Sequence, residues 1–124
     1  MKRSPLVLAL AVLTPLALAA CGGGGAPPQP FGDADAGRGA YTSTCVSCHG
    51  QDAKGVPGLG KDLTASTWIL EQTDEELLAF LQTGRPSSDP LNTTGVDMPP
   101  KGGNPVLSED DLRNIVAYLR TIHE

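Results

Sequence analysis

Cys45-Val46-Ser47-Cys48-His49 is the stretch around which the rest of the chain is organised. Two thiols three positions apart, followed at once by an imidazole, form the C-x-x-C-H pattern of covalent haem attachment. The spacing has a chemical reason. Thiols at this separation can form thioethers with two vinyl groups on one porphyrin edge, and the adjacent neutral histidine nitrogen is a good iron ligand. A dithiol oxidoreductase needs no histidine here and comes with a βαβ pattern, which this chain lacks. A protein-only zinc site needs two further ligands, and the chain has no second Cys/His pair.

Outward from the motif, the amino-terminal side reads as export. Lys2 and Arg3 precede an apolar run from Leu6 to Ala20 that is short for a membrane span and is interrupted by Thr14-Pro15. Residues 1–20 are therefore expected to be a secretory signal. Leu18-Ala19-Ala20-Cys21 resembles the end of a bacterial lipoprotein signal, which implies a lipidated Cys21 as the mature N-terminus. Ordinary cleavage would instead leave an odd exported thiol, which needs an explanation. Residues 21–32 begin as GGGGAPPQP after Cys21, a glycine-rich and then proline-stiffened tether. The folded domain is expected over residues 33–124, and 124 residues leave room for no second one.

After residue 20, seven basic residues stand against fourteen acidic ones, a formal charge of −7. Such a surface disfavours nucleic acid and anionic lipid and favours a partner with a basic docking face. About 90 residues make a small core, so a covalently held apolar cofactor would be part of that core.

The domain reads as all-α, with three to four helices around one haem. Asp33 or Asp35 can cap a first helix running to Cys45, with Gly37, Tyr41 and Cys45 on one face. A glycine inside a helix costs about 1 kcal/mol against alanine, so Gly37 suggests a close helix approach. Gly50 to Gly60 is a turn-rich loop, with Leu59 and Leu63 as candidates to lie against the haem. A short helix is expected around Ser66 to Glu71. It contains Trp68, read as a packing residue with a propionate contact as the alternative. Thr73-Asp74-Glu75-Glu76 is a capping-box start, Leu77, Leu78, Phe80 and Leu81 form an apolar face, and Gly84 ends it. Arg85 to Asp97 is a polar loop in which Asn92-Thr93-Thr94 reads as turn chemistry. Ser108 opens a last helix whose Leu112, Ile115, Val116, Leu119 and Ile122 recur at helical spacing, with Arg120 favourably near its C-terminus. No stretch reads as a strand.

Together these parts resemble a class I, monohaem cytochrome c over roughly residues 33–121. The matching stretches are Gly37-x-x-x-Tyr41, Cys45-Val46-Ser47-Cys48-His49-Gly50, Met98-Pro99-Pro100 and Ile115-Val116-Ala117-Tyr118-Leu119. The resemblance implies one covalent haem c on Cys45 and Cys48, His49 as proximal iron ligand and Met98 as distal ligand. It also implies first and last helices that cross through Gly37, Tyr41, Ile115 and Tyr118. Met98 is the one methionine after the signal and lies in a proline-bounded loop, not on an apolar helical stripe. His123 and an open iron position are its rivals. Many relatives hold a proline two residues before the leucine matched by Leu63, and its carbonyl accepts the proximal histidine N–H. Here that slot is Lys61, so the acceptor is either the Lys61 carbonyl or one near Pro57.

The function this implies is a one-electron carrier, not an enzyme, tethered by lipid to the extracytoplasmic face of a bacterial membrane. Its acceptor would be a redox protein such as a terminal oxidase. The rivals are a fixed relay subunit of a larger oxidase or dehydrogenase complex, and a haem enzyme or sensor with open iron.

Overall fold

The computed structural model describes residues 30–123. The expected signal over residues 1–20, the expected lipidation site Cys21 and the expected tether up to residue 29 lie outside the described residues.

Five α-helices and one 3-10 turn follow in order: α1 (Ala34–Thr44), α2 (Val46–His49), α3 (Thr67–Glu71), α4 (Asp74–Thr83), the 3-10 turn Pro100–Gly103, and α5 (Glu109–Thr121). This all-α fold has more helices than the three to four expected. The haem-type motif forms a separate short helix, set off from α1 at Cys45 and ended by Gly50 in a left-handed conformation. Among the described residues the one strand-like feature is an isolated antiparallel bridge between Arg85 and Met98.

The caps follow from sequence. Asp33 accepts hydrogen bonds from the backbone N–H groups of Asp35 and Ala36, at 2.9 and 3.0 Å, and so starts α1. Thr73 with Glu76 and Ser108 with Asp111 form complete capping boxes on α4 and α5. At the end of α4, Gly84 turns the chain at φ +70°, and a Cβ there would collide with the Met98 carbonyl oxygen.

The fold is centred on the crossing of α1 and α5. Gly37 is buried, and a Cβ on it would strike the backbone carbonyl of Asn114, so the helices meet at a distance only glycine permits. Below it Tyr41 and Tyr118 pack with ring centroids 5.3 Å apart, and the Tyr41 hydroxyl donates to the Gly50 carbonyl oxygen at 2.7 Å. That bond joins the crossing to the end of the cysteine-histidine motif. Burial of Tyr41 pushes its phenol well above the ordinary range, with the charge of Cys45 adding to the effect. Phe31 and Gly32, read from sequence as the end of the tether, also reach this crossing. Phe31 packs against the core under the Arg113 guanidinium, 5.1 Å from its ring centroid.

Ile69, Leu77, Leu78, Leu81, Leu107, Leu112, Ile115, Val116 and Leu119 form the core. Each such aliphatic side chain contributes about 1.5–3 kcal/mol when fully buried. Arg120 does more than complement a helix dipole. Its Nε pairs with Asp74 at 2.8 Å, while Nη1 and Nη2 donate to the carbonyls of Ile69 and Gln72 at 2.7 and 2.6 Å. The end of α5 is thereby fastened to the α3–α4 junction. His123, expected to fray into solvent, is half-buried with Nε2 2.9 Å from the Ser66 carbonyl oxygen.

Candidate cofactor site

A cavity of about 340 Å³ opens between α1–α2, the loop at residues 59–63, helices α3, α4 and α5, and the loop at residues 85–98. Cys45, Cys48, His49 and Met98, four residues dispersed over more than fifty positions, all line it. Leu59, Leu63 and Trp68 do so as well. His123 is not among the residues that line it.

One wall carries the motif. Cys45 and Cys48 are half-buried and are not bonded to each other. Burial pushes the Cys45 thiol up to about 11, with neighbouring Cys48 adding to the shift. His49 Nδ1 lies 2.9 Å from the Lys61 carbonyl oxygen. A carbonyl can only accept, so Nδ1 carries the proton and the lone pair is left on Nε2. This settles the acceptor that the sequence left between Lys61 and the region of Pro57. A lysine replaces proline without loss because the contact uses the backbone. The loop after the motif folds back over it, with Gly55 N–H donating to the His49 carbonyl at 2.8 Å and Val56 N–H to that of Cys48 at 2.9 Å.

Another part of the cavity wall carries Met98. Its backbone exchanges both hydrogen bonds with Arg85, each at 2.8 Å. Between these two residues the chain is pinned by its own side chains. Asn92 Oδ1 accepts from the N–H groups of Thr94 and Gly95, and its Nδ2 donates to the Val96 carbonyl at 2.8 Å. Asn92-Thr93-Thr94 is thus turn chemistry. Asp97 takes a hydrogen bond from Ser87 across the loop, which holds its carboxyl below the usual range. Lys61 Nζ reaches the Leu91 carbonyl at 2.9 Å, joining the two walls.

Two site features were missed by sequence reasoning. Arg85 lines the cavity with its guanidinium over both Trp68 and Phe80, at 4.7 and 4.8 Å from the ring centroids. The Lys61 side chain spans thirty positions to Leu91. Neither has a local signal, apart from the scarcity of basic residues in so acidic a chain.

Residues 32–119 match the family described as cytochrome c oxidase, cbb3-type, subunit III. The chain belongs to this family. It is similar to the cbb3-type cytochrome c oxidase subunit CcoP of Rhodobacter capsulatus, with 32% identity over 96 residues, 77% of this chain and 31% of that subunit. It is also similar to cytochrome c-555 of Chlorobaculum thiosulfatiphilum, with 30% identity over 87 residues, 70% of this chain and 93% of that protein. Cytochrome c-554(547) of Halothiobacillus neapolitanus is 32% identical over 98 residues, 73% of this chain and 98% of that protein. The chain thus spans about a third of the CcoP subunits and almost the whole of the two small cytochromes.

This cytochrome c-type domain takes covalently bound haem c as its cofactor. The residues present suit the group. The C-x-x-C-H motif, the thioether side chain of Met98 and apolar side chains from α4 and α5 all line the one cavity. Among the described residues no group of three or more His, Cys, Asp and Glu side chains is placed to hold a metal ion on its own. Iron held by a porphyrin asks less of the chain, namely axial ligands alone. No helix among the described residues is long and apolar enough to cross a membrane.

Proposed function

We propose that the protein is a membrane-tethered one-electron carrier with a His/Met-ligated haem c. The observation that carries this reading is the convergence of Cys45, Cys48, His49 and Met98 on one cavity, with Met98 fixed by paired backbone bonds to Arg85. In this reading Cys45 and Cys48 hold the thioethers. His49 ligates through Nε2 while Lys61 fixes its ring, and Met98 offers sulfur from another part of the wall. Haem c supplies a ferrous/ferric couple, and a thioether ligand opposite histidine raises its potential. With both axial positions filled from the chain, no position remains for a substrate, which favours a carrier over an enzyme or gas sensor.

Ferric protein should show a weak far-red sulfur-to-iron band. Met98→Ala should abolish it and lower the potential while the haem stays covalently attached. A band that survives the substitution, or native protein that binds carbon monoxide as readily as open haem does, would overturn this ligation.

The tether rests on Leu18-Ala19-Ala20-Cys21 and the following glycine- and proline-rich stretch. Lipidated at Cys21, the domain would sit on the extracytoplasmic face of a bacterial membrane. One acyl chain binds only marginally, so more than one is expected. Intact-mass measurement of the native N-terminus checks this, and an unmodified terminus would sink it. The excess of acidic residues suits an acceptor with a basic face. A terminal oxidase is the favoured acceptor, given the CcoP relatives. Those relatives also support a second reading, a fixed relay subunit of such an oxidase. The near-complete coverage of cytochromes c-555 and c-554(547) favours the free carrier.

A further inference from the structure

Among the described residues two that are not glycine have a positive φ, Ala53 at +60° and Lys101 at +54°. Ala53 is fully buried in the loop that follows the motif. Lys101 is only half-buried, and it is followed by two glycines that share its left-handed form, Gly102 at +63° and Gly103 at +83°. A left-handed residue with a Cβ is unfavourable, and a third glycine in this place would carry no such strain. What the lysine adds is its ammonium, which donates to the Leu107 carbonyl at 2.7 Å. A strained backbone kept where its side chain makes a specific bond points to a role in holding the neighbouring structure.

That structure is the turn that leads from Met98 to the end of α1. Pro99 and Pro100 have no N–H, so the hydrogen-bond donors after Met98 begin at residue 101. Gly102 N–H closes the turn on the Pro99 carbonyl at 3.0 Å, and Asn104 N–H bonds to the Lys101 carbonyl at 3.2 Å. Asn104 Nδ2 then donates to Thr44 Oγ1 at 3.2 Å, and a Cβ on Gly102 would stand 3.0 Å from the Thr44 methyl group. Thr44 directly precedes Cys45, and Thr44, Met98, Lys101, Gly102 and Leu107 all line the cavity. We propose that Lys101 is a positioning residue for Met98. Its bond to Leu107 holds the turn Pro100–Gly103 closed against the end of α1, and so keeps the methionine side chain in the cavity. The Arg85 bonds fix the main chain of Met98 itself, and Lys101 fixes the chain that leaves it. With the ammonium bond broken, the turn is free to leave its strained form and the methionine gains room to withdraw. The inference rests on the His/Met haem reading above, and the experiment separates the two.

Lys101→Gly and Lys101→Ala both remove the ammonium, but only alanine keeps the backbone strain. The full-length ferric holoprotein and both variants are compared by imidazole binding, read as loss of the far-red band, by thermal unfolding, and by hydrogen exchange of the Gly102 and Asn104 amides. Both variants should take up imidazole about fivefold more readily than native, the factor that one hydrogen bond supplies, and should exchange those two amides faster. Their stabilities should differ, with alanine unfolding several degrees below glycine. A purely structural lysine would make imidazole uptake follow stability, so uptake that rises in the alanine variant alone overturns the proposal. Native-like uptake in both variants does the same. Native protein without covalent haem or the far-red band would instead overturn the underlying reading. In that case the two amides decide alone, faster exchange in both variants supporting the latch and unchanged exchange overturning it.

Discussion

The wall of the cavity that carries Cys45, Cys48 and His49 and the wall that carries Met98 are held by different forces. The first stands on helix packing. α1 is pressed onto α5 through Gly37, Tyr41 is 1% exposed, and the Tyr41 hydroxyl is tied to Gly50 at the end of the motif. The second is a loop from Gly84 to Pro99 in which Leu91 is 54% exposed and order comes from side chains bonded to nearby backbone. Such bonds stabilise by about 1 kcal/mol each, because water competes for the same groups. The comparison teaches that the two proposed axial ligands have unequal security. The histidine side should loosen only with the domain, and the methionine side should open in local fluctuations at lower cost.

The sharpest way to break the first wall is Gly37→Ala. The added Cβ meets the main-chain carbonyl of Asn114, which no rotamer change can move, so α1 and α5 must separate. Overpacking of this kind costs about 3 kcal/mol. In a domain this small that lowers Tm by roughly 12 °C or more. Thermal unfolding followed by far-ultraviolet circular dichroism checks it. A variant within 2 °C of native would mean that the crossing is more yielding than its geometry indicates.

The same contrast explains what could be read before the structure. The motif wall is encoded at short range. C-x-x-C-H, the capping residues and the i, i+3, i+4 spacing of α5 each state their role within a few positions, and Gly37 with Tyr41 marks the helix face. The core of α4 and α5 was legible for that reason. The distal wall is encoded over distances that spacing cannot express. Met98 stood out by being alone among prolines, but its pairing with Arg85 joins residues thirteen apart across an aperiodic loop. The Arg85 guanidinium meets Trp68 from another helix, and Arg120 reaches Ile69 and Asp74 across about fifty positions. His123 was misread as frayed for the same reason, since its partner Ser66 lies 57 positions away. The short helix α2 was missed because four residues are too few for any period to show.

Lys61 is where the two walls touch, and it gives the smallest and most discriminating effect. Its carbonyl accepts from His49 Nδ1 and its ammonium donates to the Leu91 carbonyl. Lys61→Met keeps the first contact, which is made by backbone, and removes the second while retaining most of the aliphatic stem. The lost bond lies at an exposed position, so its loss should cost no more than about 1 kcal/mol. Global unfolding should therefore move by only a few degrees. The cost should appear locally instead, as a severalfold faster amide exchange in the loop from Asn92 to Met98, with amides of Ile115 and Val116 unchanged. Hydrogen exchange resolved by residue is the measurement. If both walls loosened equally, they would form one cooperative unit and the contrast drawn here would fail. Were neither to change, the Asn92 and Asp97 bonds would be sufficient alone, and Lys61 would serve only His49.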